Sequence, residues 1–126
     1  MGSIGVLGLI MAFASPAGNF PAAQQTAQRF LDAIARGDER AICHYMSASG
    51  RRELIQGERD YDKRVRTCAQ AARSIPRELG RFPIVKIEPG DAGHLIVWVD
   101  DHQISDSGWD NFGLERVGRA WRVEAF

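Results

Sequence analysis

The chain has 126 residues, 44% of them hydrophobic, and its 16 basic residues balance 16 acidic ones. That is enough for one hydrophobic core and too little for two. With no net charge there is no long-range field to gather phosphates or anionic lipid, which excludes nucleic acid as an expected partner.

The amino terminus stands apart from the rest. From Ile4 to Ala14 the run IGVLGLIMAFA carries no charge and is followed by SPAGN, a small-residue, turn-forming stretch. Ala12-Phe13-Ala14 and Ser15-Pro16-Ala17 both fit the small-x-small rule of a signal peptidase site. The run is shorter than the roughly 20 apolar residues a stable membrane span needs. Residues 1–20 are therefore expected to be a signal peptide, with a buried amino-terminal helix or an uncleaved anchor as the alternatives. Met1-Gly2-Ser3 lacks the Lys or Arg that usually opens such a segment. The localisation expected is secreted or extracytoplasmic.

One domain then covers residues 21–126. Pro21 suits a first helical turn, and Ala23, Ala27, Phe30, Leu31 and Ile34 recur at three- and four-residue intervals, which predicts an amphipathic helix ending near Gly37. Asp38 caps a short second helix that carries Cys43. Ser49 starts a further turn through Leu54 and Ile55, ended by Gly57. Asp60 then opens a third helix, with Tyr61, Val65, Cys68 and Ala72 on its core face. Arg51, Arg52, Arg59, Lys63, Arg64 and Arg66 are interleaved with Glu53, Glu58, Asp60 and Asp62, the pattern of a solvated face.

Cys43 and Cys68 are the two cysteines, and export places them where thiols oxidise. Closing a loop of about 25 residues destabilises the unfolded chain by about 3.5 kcal/mol in the loop-entropy model. A structural disulfide between the second and third helices is the expectation. His44 follows Cys43 directly, but neighbours on a helix point about 100° apart, which argues against a Cys/His nucleophile. His44, His94, His102 and the cysteines lack the paired spacing of zinc sites, so no metal and no cofactor is expected.

Beyond Pro76 the period changes to that of strands. Ile84 to Glu88 is the first, closed by PGDAG, and His94 to Asp101 the second. The second carries Leu95, Val97 and Val99 on one face and Ile96 and Trp98 on the other, so both faces call for cover. A two-residue Gly118-Arg119 turn pairs Val117 with Ala120. The same register sets Arg116 opposite Trp121, Glu115 opposite Arg122, Leu114 opposite Val123, Gly113 opposite Glu124 and Phe112 opposite Ala125. Gly113 is the expected place for a bend or bulge.

Helices first, then a strand meander closing in LERVGRAWRV, resembles the nuclear-transport-factor-2-like superfamily. The opening helix ending in Ala35-Arg36-Gly37-Asp38, the helix with Cys43 and Trp121 after the closing turn carry the likeness, which covers about residues 21 to 126. Small secreted actinobacterial members with a cysteine in helices two and three are the most similar. The resemblance implies an α+β fold in which three amino-terminal helices pack in the concave face of a curved antiparallel sheet, a cystatin-like cone enclosing a cavity. It also implies dimerisation through the outer sheet face. The superfamily includes dehydratases, steroid isomerases, epoxide hydrolases and polyketide cyclases alongside many proteins without catalysis, so fold alone assigns no activity.

Enzymatic relatives place acid and base groups inside the cone, and Tyr45, Tyr61, His94, Asp100, His102 and Glu124 are the candidates here. Asp100 and His102 share a strand face about 7 Å apart and form the acid/base pair to consider first. The plainer reading of Asp100-Asp101-His102-Gln103 is a solvated strand end. Tyr45, Tyr61, Trp98 and Trp109 offer aromatic surface for a ligand, and serve equally as core-edge rings. The function expected is a non-catalytic extracytoplasmic module whose cavity holds a small apolar molecule or a protein partner. An acid/base enzyme is the alternative.

Overall fold

In the computed structural model, which describes residues 20–100 and 109–125, the first helix, α1 (Pro21–Arg36), opens on its proline and stops where Gly37 takes a left-handed φ of 67°. The five apolar positions read from its periodicity are all buried. Asp38 caps α2 (Glu39–His44), its carboxylate accepting the Ala41 N–H at 3.1 Å. Arg51 donates to the Cys43 and Met46 carbonyls at 3.2 and 2.7 Å, closing the far end of α2 from the next helix.

The middle of the chain corrects the expected helix boundaries. A helix of 12 residues, α3 (Ala48–Arg59), starts one cap earlier than read, because the Ser47 hydroxyl accepts the Gly50 N–H, and it runs straight through Gly57. No helix opens at Asp60. Asp62 instead accepts the Arg64 backbone N–H and binds its guanidinium, a local turn that competes with helix. Tyr61, assigned above to a core face, is 92% exposed. The fourth helix, α4 (Cys68–Ala72), begins only where Thr67 and Gln70 form a reciprocal capping box. Among the described residues there are thus four helices rather than three.

Cys43 and Cys68 are disulfide-bonded, with α-carbons 6.1 Å apart, so the bridge ties α2 to the first residue of α4. A 3-10 turn at Arg77–Arg81 brings Gly80 against α1, where a β-carbon would lie 2.2 Å from the Leu31 carbonyl oxygen.

Four strands follow, β1 (Ile84–Pro89), β2 (Leu95–Asp100), β3 (Trp109–Val117) and β4 (Ala120–Ala125), antiparallel in the order β1-β2-β3-β4. The protein is therefore an α+β domain. Gly118 stands first in the β3–β4 turn with φ 64°, as a two-residue turn led by glycine requires. The hairpin register matches expectation from Val117↔Ala120 to Leu114↔Val123. It then slips: Gly113 pairs with Ala125, not Glu124, so Phe112 does not face Ala125. Glu124 is the extra residue of a β-bulge.

Leu95, Val97 and Val99 of β2 join Phe112, Leu114 and Val123 on the buried face, packed against α1. Phe30 and Phe112 meet with ring centroids 5.4 Å apart. Beyond them, only about 20 Å³ of space remains beside Leu31, Leu79, Val99 and Phe112. Segment 45–47 lies alongside β4: the Val123 N–H donates to the Tyr45 carbonyl and the Ser47 N–H to the Val123 carbonyl, each at 2.8 Å. No helix among the described residues is long and apolar enough to cross a membrane.

Candidate functional site

Two features of the described surface have the makings of a site, a cleft in the helical layer and a polar cluster on the outer sheet face.

The cleft measures about 290 Å³ and lies between α3 and the chain leaving α4. Met46, Leu54, Ile75 and Pro76 give it apolar walls, and Glu53 and Glu58 bring carboxylates to it. Two glycines of α3, two turns apart on the same helical face, also line it. Gly50 has a packing reason, since a β-carbon there would come 2.4 Å from the Val123 carbonyl oxygen. Gly57 has none: a β-carbon would meet nothing within 4 Å. Glycine inside a helix costs about 1 kcal/mol relative to alanine, so at Gly57 the chain gives up stability where any side chain would intrude on open space.

The cluster is built from the strands. His94 precedes β2, and because Leu95 stands opposite Leu114, His94 falls beside Glu115 of β3. The bulge in β4 aims Glu124 at the same spot. Its carboxylate overlies Gly113, where a β-carbon would sit 3.1 Å from Oε2. His94 Nδ1 and Glu124 Oε2 are 2.6 Å apart, with the two side chains 39% and 22% exposed. Ser49 Oγ donates to Glu115 Oε2 at 2.9 Å and lies 3.1 Å from Ser47 Oγ. The Ser47 and Ser49 hydroxyls, with His94 adding a smaller attraction, hold the Glu115 carboxyl below the usual carboxylate range. The cross-strand neighbour Arg122 points elsewhere, donating to the Trp121 carbonyl at 3.0 Å. Glu115 and Arg122 are thus register partners, as read from the sequence, but each has its own hydrogen-bond partner.

Of the residues singled out by sequence, His94 and Glu124 meet in this cluster, and the others that are described lie apart. Asp100 ends β2 half-buried, paired in register with Trp109. His102 and the Trp109 side chain lie outside the described residues, and so does the Asp100–His102 pair. Tyr45 is half-buried at the end of α2, edge-on to His44 with ring centroids 5.0 Å apart. Tyr61 is solvated and walls no enclosed space. Trp98 is embedded in the outer sheet face: its indole N–H donates to Glu88 Oε2 at 2.7 Å, and the Lys86 ammonium lies 5.7 Å from its ring centroid.

Sequence reasoning named His94 and Glu124 separately and passed over Glu115, Ser47 and Ser49. Carrying the hairpin register one strand further, to β2, sets His94 beside Glu115, whereas the bulge that brings Glu124 to them leaves no trace in the sequence. No protein-family model matches this chain, and no curated protein or solved structure matches it either.

Proposed function

We propose that this protein is an extracytoplasmic, non-catalytic binding module of nuclear-transport-factor-2-like architecture, and that it holds a small, partly apolar molecule bearing a positive group in the cleft beside α3. The observation that carries the reading is Gly57, a helix-interior glycine that keeps the cleft open at a cost in stability and meets no neighbour that would explain it otherwise. The volume is at the lower end for small-ligand sites, and its mixture of apolar wall and a few polar groups is typical of them. Glu53 and Glu58 favour a cationic head group over an anionic one.

Export is supported by the Cys43–Cys68 bridge, which persists in oxidising compartments, together with the apolar run before Ser15. The family reading is supported by element order, helices followed by a meander that closes in a tight hairpin. The packed Phe30–Phe112 contact supports the helix-layer cleft over the described space between α1 and the sheet.

An amide-resolved NMR titration with small alkyl and aryl amines, and with carboxylates of the same skeleton, tests this. Saturable shifts at 46–58 and 74–76 with the amines, abolished by Gly57→Leu in a folded variant, are the expected result. Shifts that ignore the Gly57 substitution, or no preference for the amines, refute it.

A further inference from the structure

We propose that His94, Glu115 and Glu124 form a divalent transition-metal site on the outer sheet face, with Zn²⁺ as the ion it takes. One ligand atom from each of the three lies within 4.8 Å of the other two. Glu115 and Glu124 come from the paired strands β3 and β4, and His94 stands immediately before β2, beside Glu115, so the sheet backbone sets their spacing.

The donor set is one imidazole nitrogen and two carboxylate oxygens. Zinc accepts both kinds at about 2.0–2.2 Å and is commonly held by three protein ligands with water completing the shell. Ligands at that distance stand about 3.3 Å from one another around a tetrahedral ion. To hold an ion, the 2.6 Å contact between His94 and Glu124 opens slightly and Glu115 closes in from within 4.8 Å.

Four further features separate the cluster from a chance gathering of surface carboxylates. The bulge turns Glu124 toward His94, where a regular ladder would set it opposite Gly113. Gly113 clears the space the Glu124 carboxylate occupies. Ser49 donates to Glu115, the outer-shell bond that orients a metal-bound carboxylate. Arg122, the cation nearest in register, is drawn off to the Trp121 carbonyl and leaves the negative charge of the pair for an ion. The exclusion of metals from linear His and Cys spacing does not reach a site assembled across strands.

The test is a calorimetric titration of zinc chloride into the full chain, disulfide intact and previously dialysed against EDTA. Expected is saturable uptake of one ion per chain, accompanied by a shift of the His94 ring nitrogens in ¹⁵N NMR. His94→Ala and Glu124→Gln each weaken it by about tenfold or more, and His44→Ala, which removes an exposed imidazole on α2, leaves it unchanged. Gly113→Ala keeps all three ligands but displaces the Glu124 carboxylate, and also weakens uptake. Circular dichroism confirms that each variant is folded. Absence of saturable binding overturns the proposal, as does binding that survives both His94→Ala and Glu124→Gln.

Discussion

Replacing both Cys43 and Cys68 by alanine removes the covalent tie between α2 and α4, and the structure sets the size of the loss. The bonded residues are 25 apart in sequence, for which loop-closure entropy gives about 3.5 kcal/mol at 25 °C. The stretch of that loop next to Cys68 has few other contacts. Between α3 and α4 the chain exposes Tyr61, Lys63, Arg64 and Arg66, and α4 itself is five residues long with Ala71 and Ala72 as its buried side chains. The loss is therefore expected to appear almost in full, as a drop of about 3–4 kcal/mol in urea unfolding and of roughly 15–25 °C in Tm. The slope of the urea transition should rise, because an uncrosslinked unfolded chain exposes more surface. Hydrogen exchange should accelerate first at the α4 amides. A double variant within about 1 kcal/mol of the parent would show that the fold already holds this loop without sulfur, and would refute the reasoning.

Phe30→Ala, at a fully buried ring facing Phe112, should cost about 3–5 kcal/mol in the same assay, whereas Tyr61→Ala should stay within about 0.5 kcal/mol of the parent. Gly57→Ala is expected to raise stability by about 1 kcal/mol, since it adds a helix-forming residue into open space; a destabilised variant would mean the cleft is not open there. In EDTA, Glu115 gives a pH dependence of known sign. Its folded pKa lies below the unfolded one, so its contribution is fully present above the usual carboxylate range and is lost as pH falls through the folded value. Wild-type stability should therefore decline more steeply below about pH 5 than that of Glu115→Gln, and parallel curves would contradict the Ser47 and Ser49 hydrogen bonds.

What was legible in the sequence is what local periodicity decides. The apolar stripe of α1, the cysteine pair and the turn at Gly118 are each set by residues near one another, or by a register that a single turn fixes. The third-helix reading failed because Tyr61, Val65, Cys68 and Ala72 match a helical spacing that no helix spans. Capping by Ser47 and Thr67, and the turn at Asp62, outweigh that pattern. Gly57 read as a stop because glycine usually ends helices, yet here it sits two residues inside one. The His94–Glu115–Glu124 cluster was illegible for a different reason. It depends on one inserted residue in β4, and a bulge shifts partners by one position without leaving a periodic trace.

The short run at 45–47 has a consequence for how copies of this protein meet. Val123 spends both of its outward backbone groups on Tyr45 and Ser47, and the Trp121 carbonyl is occupied by Arg122. One margin of the sheet is thereby sealed by the chain itself. A second copy approaching along β4 finds the backbone groups of Val123 already bonded, so sheet extension from that strand is blocked there.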